Sequence, residues 1–287
     1  MFRAVLAAIL LFLVLKPGFA QCSDAGVCSI GGPDGRTDRI LFSAAVSYGM
    51  SSADEYSFTN LHTGIQIPLG GNVSMQGSLP FRSMSGPAGS ASGIGDLLVA
   101  ARLPLWADGA TEFALEAGIR FPTGAVNEGG LPQAYQPGLG TTDGLFGISV
   151  ESGDFAAALG YQLSPGRSAN EVNALRRGDD FSVRASYLVY GDVLRLRGEA
   201  IAITKLRKSN GILQSSTLPI PPTPPVEHDI QGTDRTQVNL LGDLEYQLGE
   251  ALTLNVRAAF ALLSRPVNLD GLTRGFSVQA GITVPVD

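Results

Sequence analysis

The sequence predicts an all-β fold: a closed antiparallel transmembrane β-barrel of about 12 strands in up-and-down order. Three observations predict it. Runs of alternating apolar and polar residues recur along the 287-residue chain, and a period of two sends successive side chains to opposite faces of a strand. Tight turns alternate with longer loops, as in barrels with short periplasmic turns and long outer loops. Charges of both signs keep to one face of the runs and leave the other to Leu, Val, Ile and Phe.

The N-terminus reads as a signal peptide over residues 1–20. Arg3 supplies the positive start, Ala4 to Leu15 the apolar stretch, and Gly18-Phe19-Ala20 the small residues before cleavage at Gln21. An uncleaved anchor is the weaker alternative, because a helical span needs ~20 apolar residues. Gln21 before Cys22 argues against a lipoprotein. Residues 21–38 read as an irregular periplasmic lead-in. It holds both cysteines, Cys22 and Cys28, which favour a small disulfide loop in an oxidising compartment. Metal binding by two thiols with no nearby histidine is the lesser reading.

Residues 39–287 read as the barrel. The first run is Arg39–Tyr48, with Ile40, Phe42, Ala44, Val46 and Tyr48 on one face. The second, Thr59–Leu69, sets Leu61, Ile65, Ile67 and Leu69 against Asn60, His62 and Gln66. Gly70-Gly71 turns into the third, where Val73, Met75, Leu79 and Phe81 face Ser74, Gln76, Ser78 and Arg82. A Gly/Ser/Pro segment, 83–92, precedes the clearest hairpin, Ile94 to Phe121. Its second strand alternates Phe113, Leu115, Ala117, Ile119 and Phe121 with Glu112, Glu116 and Arg120. After a Gly/Pro loop, 123–138, strands six and seven carry Phe146, Ile148, Val150 and Phe155, Ala157, Leu159, Tyr161. A polar loop, 164–178, leads to strand eight, with Phe181, Val183, Ala185 and Tyr187 opposite Arg184. Strand nine alternates Leu194, Leu196, Ala200 and Ala202 with Arg195, Arg197 and Glu199. The longest loop, 206–233, holds a Pro-rich stretch at 218–225, read as a stiff outer loop rather than a polyproline ligand. Strand ten sets Val238, Leu240, Leu244 and Tyr246 against Asp243 and Glu245; strand eleven sets Leu252, Leu254, Val256 and Phe260 against Arg257. Loop 264–271 precedes the last strand, Phe276–Val286.

In this register no charge falls on an apolar face between strand ends. Arg102, Glu116, Arg120, Arg184, Arg195, Arg197, Glu199, Asp243, Glu245 and Arg257 share the other face and are expected to line the lumen. A lipid-facing Arg would cost ~2–4 kcal/mol at midplane. Aromatic residues near strand ends, such as Tyr48, Phe81, Phe121, Phe155 and Tyr187, suit interfacial girdles. A secreted β-sandwich also alternates, but its core is mostly uncharged and its strands shorter.

Composition narrows the function. Charged residues make up 16% of the chain, below the usual share of about 25%. The net charge of −6 gives no case for nucleic acid. No zinc spacing, EF-hand or P-loop occurs, so no cofactor is expected. The histidines are His62 and His228. A Ser-His-Asn site similar to that of the outer-membrane phospholipase would need a serine in reach of His62. Ser43, Ser47, Ser74 and Ser78 qualify on paper, beside Asn60, but no nucleophile motif surrounds them, so the chain is read as no enzyme.

Three short segments add a resemblance: Gly93-Ile94-Gly95-Asp96, Phe121-Pro122-Thr123-Gly124 and Gly138-Leu139-Gly140-Thr141-Thr142-Asp143. They resemble the G-[LI]-G-D, P-T-G and G-x-G-x-x-D motifs of the outer-membrane transporter family of the phenol-degradation meta-pathway, mainly over residues 93–160. The resemblance implies a barrel passing small, often aromatic or apolar, compounds. Read from their own chemistry, Asp96 and Asp143 either hydrogen-bond loop amides or bind an ion, and the first is favoured. At the C-terminus Gly281, Val284 and Val286 resemble the assembly signal of outer-membrane barrels, though Asp287 stands where an aromatic residue ends that signal.

The expected protein is a channel or transporter in the outer membrane of a Gram-negative-type bacterium. Its partners are outer-membrane lipids, a small solute and the barrel-insertion machinery. A barrel of about 12 strands lies between filled and open types, so a narrow or plugged passage is expected, with loops 123–138, 164–178 and 206–233 folding inward. The competing reading is a non-transporting structural or surface-recognition barrel.

Overall fold

The computed structural model describes residues 38–51, 56–71, 73–191, 193–212, 226–267, 269–271, 273 and 275–286. The signal peptide, the Cys22–Cys28 loop and the Pro-rich stretch lie outside the described residues.

The strands are β1 (Ile40–Met50), β2 (Ser57–Gly70), β3 (Val73–Gly86), β4 (Gly89–Ile94), β5 (Leu97–Asp108), β6 (Thr111–Phe121), β7 (Asp143–Ser152) and β8 (Phe155–Leu163). Then come β9 (Asp180–Tyr190), β10 (Leu194–Lys205), β11 (Asn210–Ile212), β12 (Glu227–Asp229), β13 (Thr236–Leu248), β14 (Leu252–Leu263) and β15 (Phe276–Val286). Neighbours in the main sheet pair antiparallel. The order is β2-β1-β15-β14-β13-β10-β9-β8-β7-β6-β5-β3-β4, and β2 also pairs with β3, which closes a ring. The first and last ring strands meet over their whole length, from Ile40 opposite Val286 to Met50 opposite Phe276. Closure leaves no strand edge to hydrocarbon, where each unpaired backbone group would cost several kcal/mol.

Twelve strands build the wall; β4 is the thirteenth of the sheet. The Gly/Ser/Pro segment 83–92, read from the sequence as a connector, is largely strand. β3 runs on to Gly86 and pairs back with β4, from Gly86 opposite Gly89 to Phe81 opposite Ile94. Ser and Gly have low strand preference alone, but a hairpin partner supplies every second backbone group, and that context overrides propensity. Gly95 and Asp96 form a bulge between β4 and β5, where the Gly95 amide donates to the Pro80 carbonyl at 2.7 Å.

The faces sort as the alternation requires. Val46, Ile119, Phe146 and Val256 point outward and are 53%, 45%, 50% and 43% exposed, whereas Ser47, Asn60, Asp143 and Asn239 point inward at 0%. This inverts a soluble protein, so the outer surface fits lipid. Outward aromatics gather at two levels: Trp106, Phe113, Phe155, Tyr187, Tyr190 and Tyr246 near the tight turns, and Tyr48, Phe81 and Phe121 near the long loops. Wall strands are 9 to 14 residues long, enough to cross a bilayer at a tilt. The termini of the ring lie on the tight-turn side. Gly153, at positive φ, closes one of those turns.

Candidate functional site

The interior has a wet end, a charged belt and a packed end. At the tight-turn end the wall encloses a vestibule of about 910 Å³, lined by polar side chains such as Gln66, Gln76, Asn255 and Gln279 and by Arg195, Arg197, Asp243, Glu245 and Arg257. Strand register brings these charges together. Asp243 on β13 stands opposite Arg197 of β10 and Arg257 of β14, and its Oδ1 accepts from the Arg257 Nε. Glu245 stands opposite Arg195, with 4.0 Å between the charged atoms and the arginine side chain 47% exposed. Exposed pairs of this kind contribute ~0–1 kcal/mol.

A second group, the belt, is more buried, and its Glu151 also lines the vestibule. Glu112 and Glu151 face each other directly across β6 and β7, an arrangement that alone is destabilising. Arg102 of β5 resolves it: its Nη1 lies 2.7 Å from Glu112 and its Nη2 2.8 Å from Glu151, with Glu116 at 3.9 Å. Two strands on from β7, Arg184 Nε of β9 sits 3.3 Å from Glu199 Oε1 of β10, both buried. Removing one partner of such a pair costs ~3–5 kcal/mol, because the other charge stays buried.

Beyond the belt, the loop after β6 folds into the lumen. Asp96 holds both of its legs. The Gly124 amide donates to Asp96 Oδ1 at 3.0 Å and the Leu139 amide to Oδ2 at 2.7 Å. Thr123 Oγ1 accepts from the Leu97 amide at 2.9 Å and donates to the Gly95 carbonyl at 3.0 Å. The two legs cross at Gly124 and Gly138, where a side-chain carbon on Gly138 would meet the Gly124 carbonyl oxygen at 2.5 Å. The three glycine-rich motifs are therefore one construction: an aspartate, two crossing glycines and a threonine that pin the loop. Asp96 bonds loop amides, as the favoured reading held. Asp143 does not; it accepts from Thr141 Oγ1 at 2.9 Å and Gln162 Nε2 at 2.8 Å, binds Arg177, and lies 3.7 Å from Arg120. Arg177 arrives from the next loop. Burial works against its charge, but the carboxylates of Asp143, Asp270 and Asp180 outweigh that and raise its pKa above the ordinary value.

The pinned loop crosses the lumen. Leu139, 1% exposed, packs against Ile201 and Ile203 of β10, Leu241 of β13 and Ala259 of β14, on the wall away from Asp96. Tyr135 is equally buried. Its hydroxyl accepts from the Ala88 amide at 2.9 Å, and its ring meets Tyr56 edge-on at 4.7 Å. Ser168 of the 164–178 loop donates to Gln133, and Lys205 joins Asp180 at 2.9 Å and Asp270 at 3.7 Å. Several loops thus share one packed plug.

All ten charges chosen from the sequence lie on the inner face, in three groups. Arg195, Arg197, Asp243, Glu245 and Arg257 line the vestibule; Arg102, Glu116, Arg184 and Glu199 make the belt; Arg120 belongs to the plug. Glu112, which the same parity picks out, completes the belt. Leu139, Ile201, Ile203 and Leu241 carried no signal, because apolar residues on a polar face look like exceptions in a periodicity. Of the candidate serines, Ser47 lies 3.2 Å from His62 Nε2 and accepts from Asn60 Nδ2 at 3.4 Å. Ser47 and Asn60 are both 0% exposed on the inner wall, so this contact ties β1 to β2 where no lipid reaches. Ser43 and Ser78 line the vestibule.

Similar folds occur among solved structures. An outer-membrane channel from Pseudomonas putida F1 superposes with a TM-score of 0.62 at 12% identity, covering 90% of this chain and 100% of that one. The NanC porin gives 0.48 at 11% identity over 85% and 100%. No curated protein matches the sequence. The family described as "Putative MetA-pathway of phenol degradation" matches residues 38–194, which is more than half of the chain and includes every motif that pins the plug; the protein belongs to that family.

Proposed function

We propose that the protein is an outer-membrane channel of a Gram-negative bacterium that passes small solutes, aromatic and apolar ones among them. The observation that carries the reading is a vestibule of about 910 Å³ lined by the wall strands, in a lumen whose other end is filled by a loop plug, inside a barrel whose outer face is apolar. A plug held by hydrogen bonds and side-chain packing can withdraw, whereas a strand-built floor cannot. The channel from Pseudomonas putida F1 and the phenol-degradation description of the family support the same reading. In it the belt and mouth charges form the path walls, export uses residues 1–20, and Cys22 and Cys28 close a loop beside the periplasmic mouth.

Liposome swelling with aromatic, sugar and nucleoside solutes tests it. Uptake of aromatic solutes above protein-free vesicles is expected, with altered passage of anionic solutes after Arg195→Ala/Arg197→Ala. Vesicles that exclude every solute would reject transport. The packed outer half is the observation that favours a second reading, a sealed structural or surface-recognition barrel; a barrel silent in planar bilayers, even after the plug is loosened, would select it.

A further inference from the structure

Most charged and polar side chains of the wall point inward, as a water-filled passage asks, but inward apolar side chains also occur, such as Leu98 beside Leu145. One apolar patch differs from these in being filled from outside the wall. Ile201, Ile203, Leu241 and Ala259 face inward on three neighbouring strands and are 5% exposed or less. The patch begins one inward-facing step beyond the vestibule's charges: Leu241 follows Asp243 on β13, and Ala259 follows Arg257 on β14. The group filling it belongs to no wall strand. It is the isobutyl side chain of Leu139, carried by a loop whose amide is held from behind by the Asp96 carboxylate. The patch is therefore a dry seat at the inner end of the plug, occupied by a removable aliphatic group.

We propose that Leu139 is a stand-in ligand. The seat is a subsite for a small hydrocarbon or aromatic group of the solute, and a solute that takes the seat displaces Leu139 and lifts the plug. This rests on the channel reading and adds to it the place where an apolar group is recognised and the step that couples recognition to opening. A dry apolar recess accepts small apolar molecules without water competing, and a ligand shifts the plug only by binding better with the leucine withdrawn.

The experiment uses the full-length protein, refolded and checked by heat-modifiable gel mobility, in planar bilayers with toluene as the probe and a protein-free bilayer as the control. Toluene is expected to raise wild-type conductance severalfold. Leu139→Ala is expected to conduct severalfold more than wild type without toluene and to rise no further with it. Leu139→Met, which conserves volume, is expected to keep the toluene response. Crystals of Leu139→Ala under xenon pressure are expected to hold xenon between Ile201, Ile203 and Leu241. Wild-type-like conductance of Leu139→Ala, with no effect of toluene on either protein, overturns the gating. Absence of xenon from the seat overturns the subsite. Silence of every variant with xenon in the seat defeats the channel reading and leaves the subsite standing.

Discussion

The two halves of the lumen use the same wall differently. Near the tight turns the inward side chains stop at a vestibule; near the long loops they are covered by backbone and side chains of loops that fold back between the strands. Charges occur in both halves. In the vestibule they remain partly in water, as Arg195 does beside Glu245. In the packed half they are desolvated and must be matched, as Asp143 is by Arg177, Arg120, Thr141 and Gln162. The difference shows that one alternating pattern can serve a wet passage or a sealed core, and that the loops determine which.

The comparison breaks most severely at Asp96. Asp96→Ala removes the acceptor of both plug legs, two hydrogen bonds to a charged group at roughly 1.5–3 kcal/mol each. The ring should persist, while chymotrypsin cuts at Tyr135, only 1% exposed in the intact plug, and conductance increases. A Tyr135 still protected would show that Asp96 does not hold the plug. Next comes the belt. Arg184→Ala leaves Glu199 buried without its arginine, and a loss of about 3–5 kcal/mol in resistance to unfolding is expected, read as lower urea tolerance by gel mobility. Loss below 1 kcal/mol would mean that water or another cation reaches Glu199.

A smaller effect is expected at the crossing of the legs. Gly138→Ala puts a carbon against the Gly124 carbonyl, a strain of about 1–3 kcal/mol. It should loosen the plug without touching the ring, giving intermediate chymotrypsin sensitivity at Tyr135. The smallest change belongs to the mouth. Arg195→Ala should shift stability by about 0–1 kcal/mol and change only ion selectivity, measured as reversal potential under a salt gradient. A large stability loss there would erase the proposed contrast between the two halves.

Much of this was legible in the chain. The ring strands, the tight turns and the inward face follow from a period of two, because a strand offers only two faces and lipid tolerates charge on neither its surface nor its edge. Arg102, Arg184 and Arg257 could be placed inward for that reason alone. The resemblance likewise drew out Asp96, Gly124 and Gly138, but as three separate motifs. The hairpin of β3 and β4 was not legible, since Ser and Gly become strand there only through their partner. The plug was legible only as loops that fold inward.

What the sequence by itself determined is which side of the wall each strand residue faces, since that depends on neighbours one or two positions away and on the solvent outside. Only the tertiary structure decided how the lumen is divided. Leu139 meets Ile201 and Leu241 across the barrel, from a loop more than sixty positions away in the chain, and Arg102 separates Glu112 from Glu151 because three strands fix their heights. Such contacts depend on register and on the path of a loop, and neither is written in the local alternation that betrays a strand.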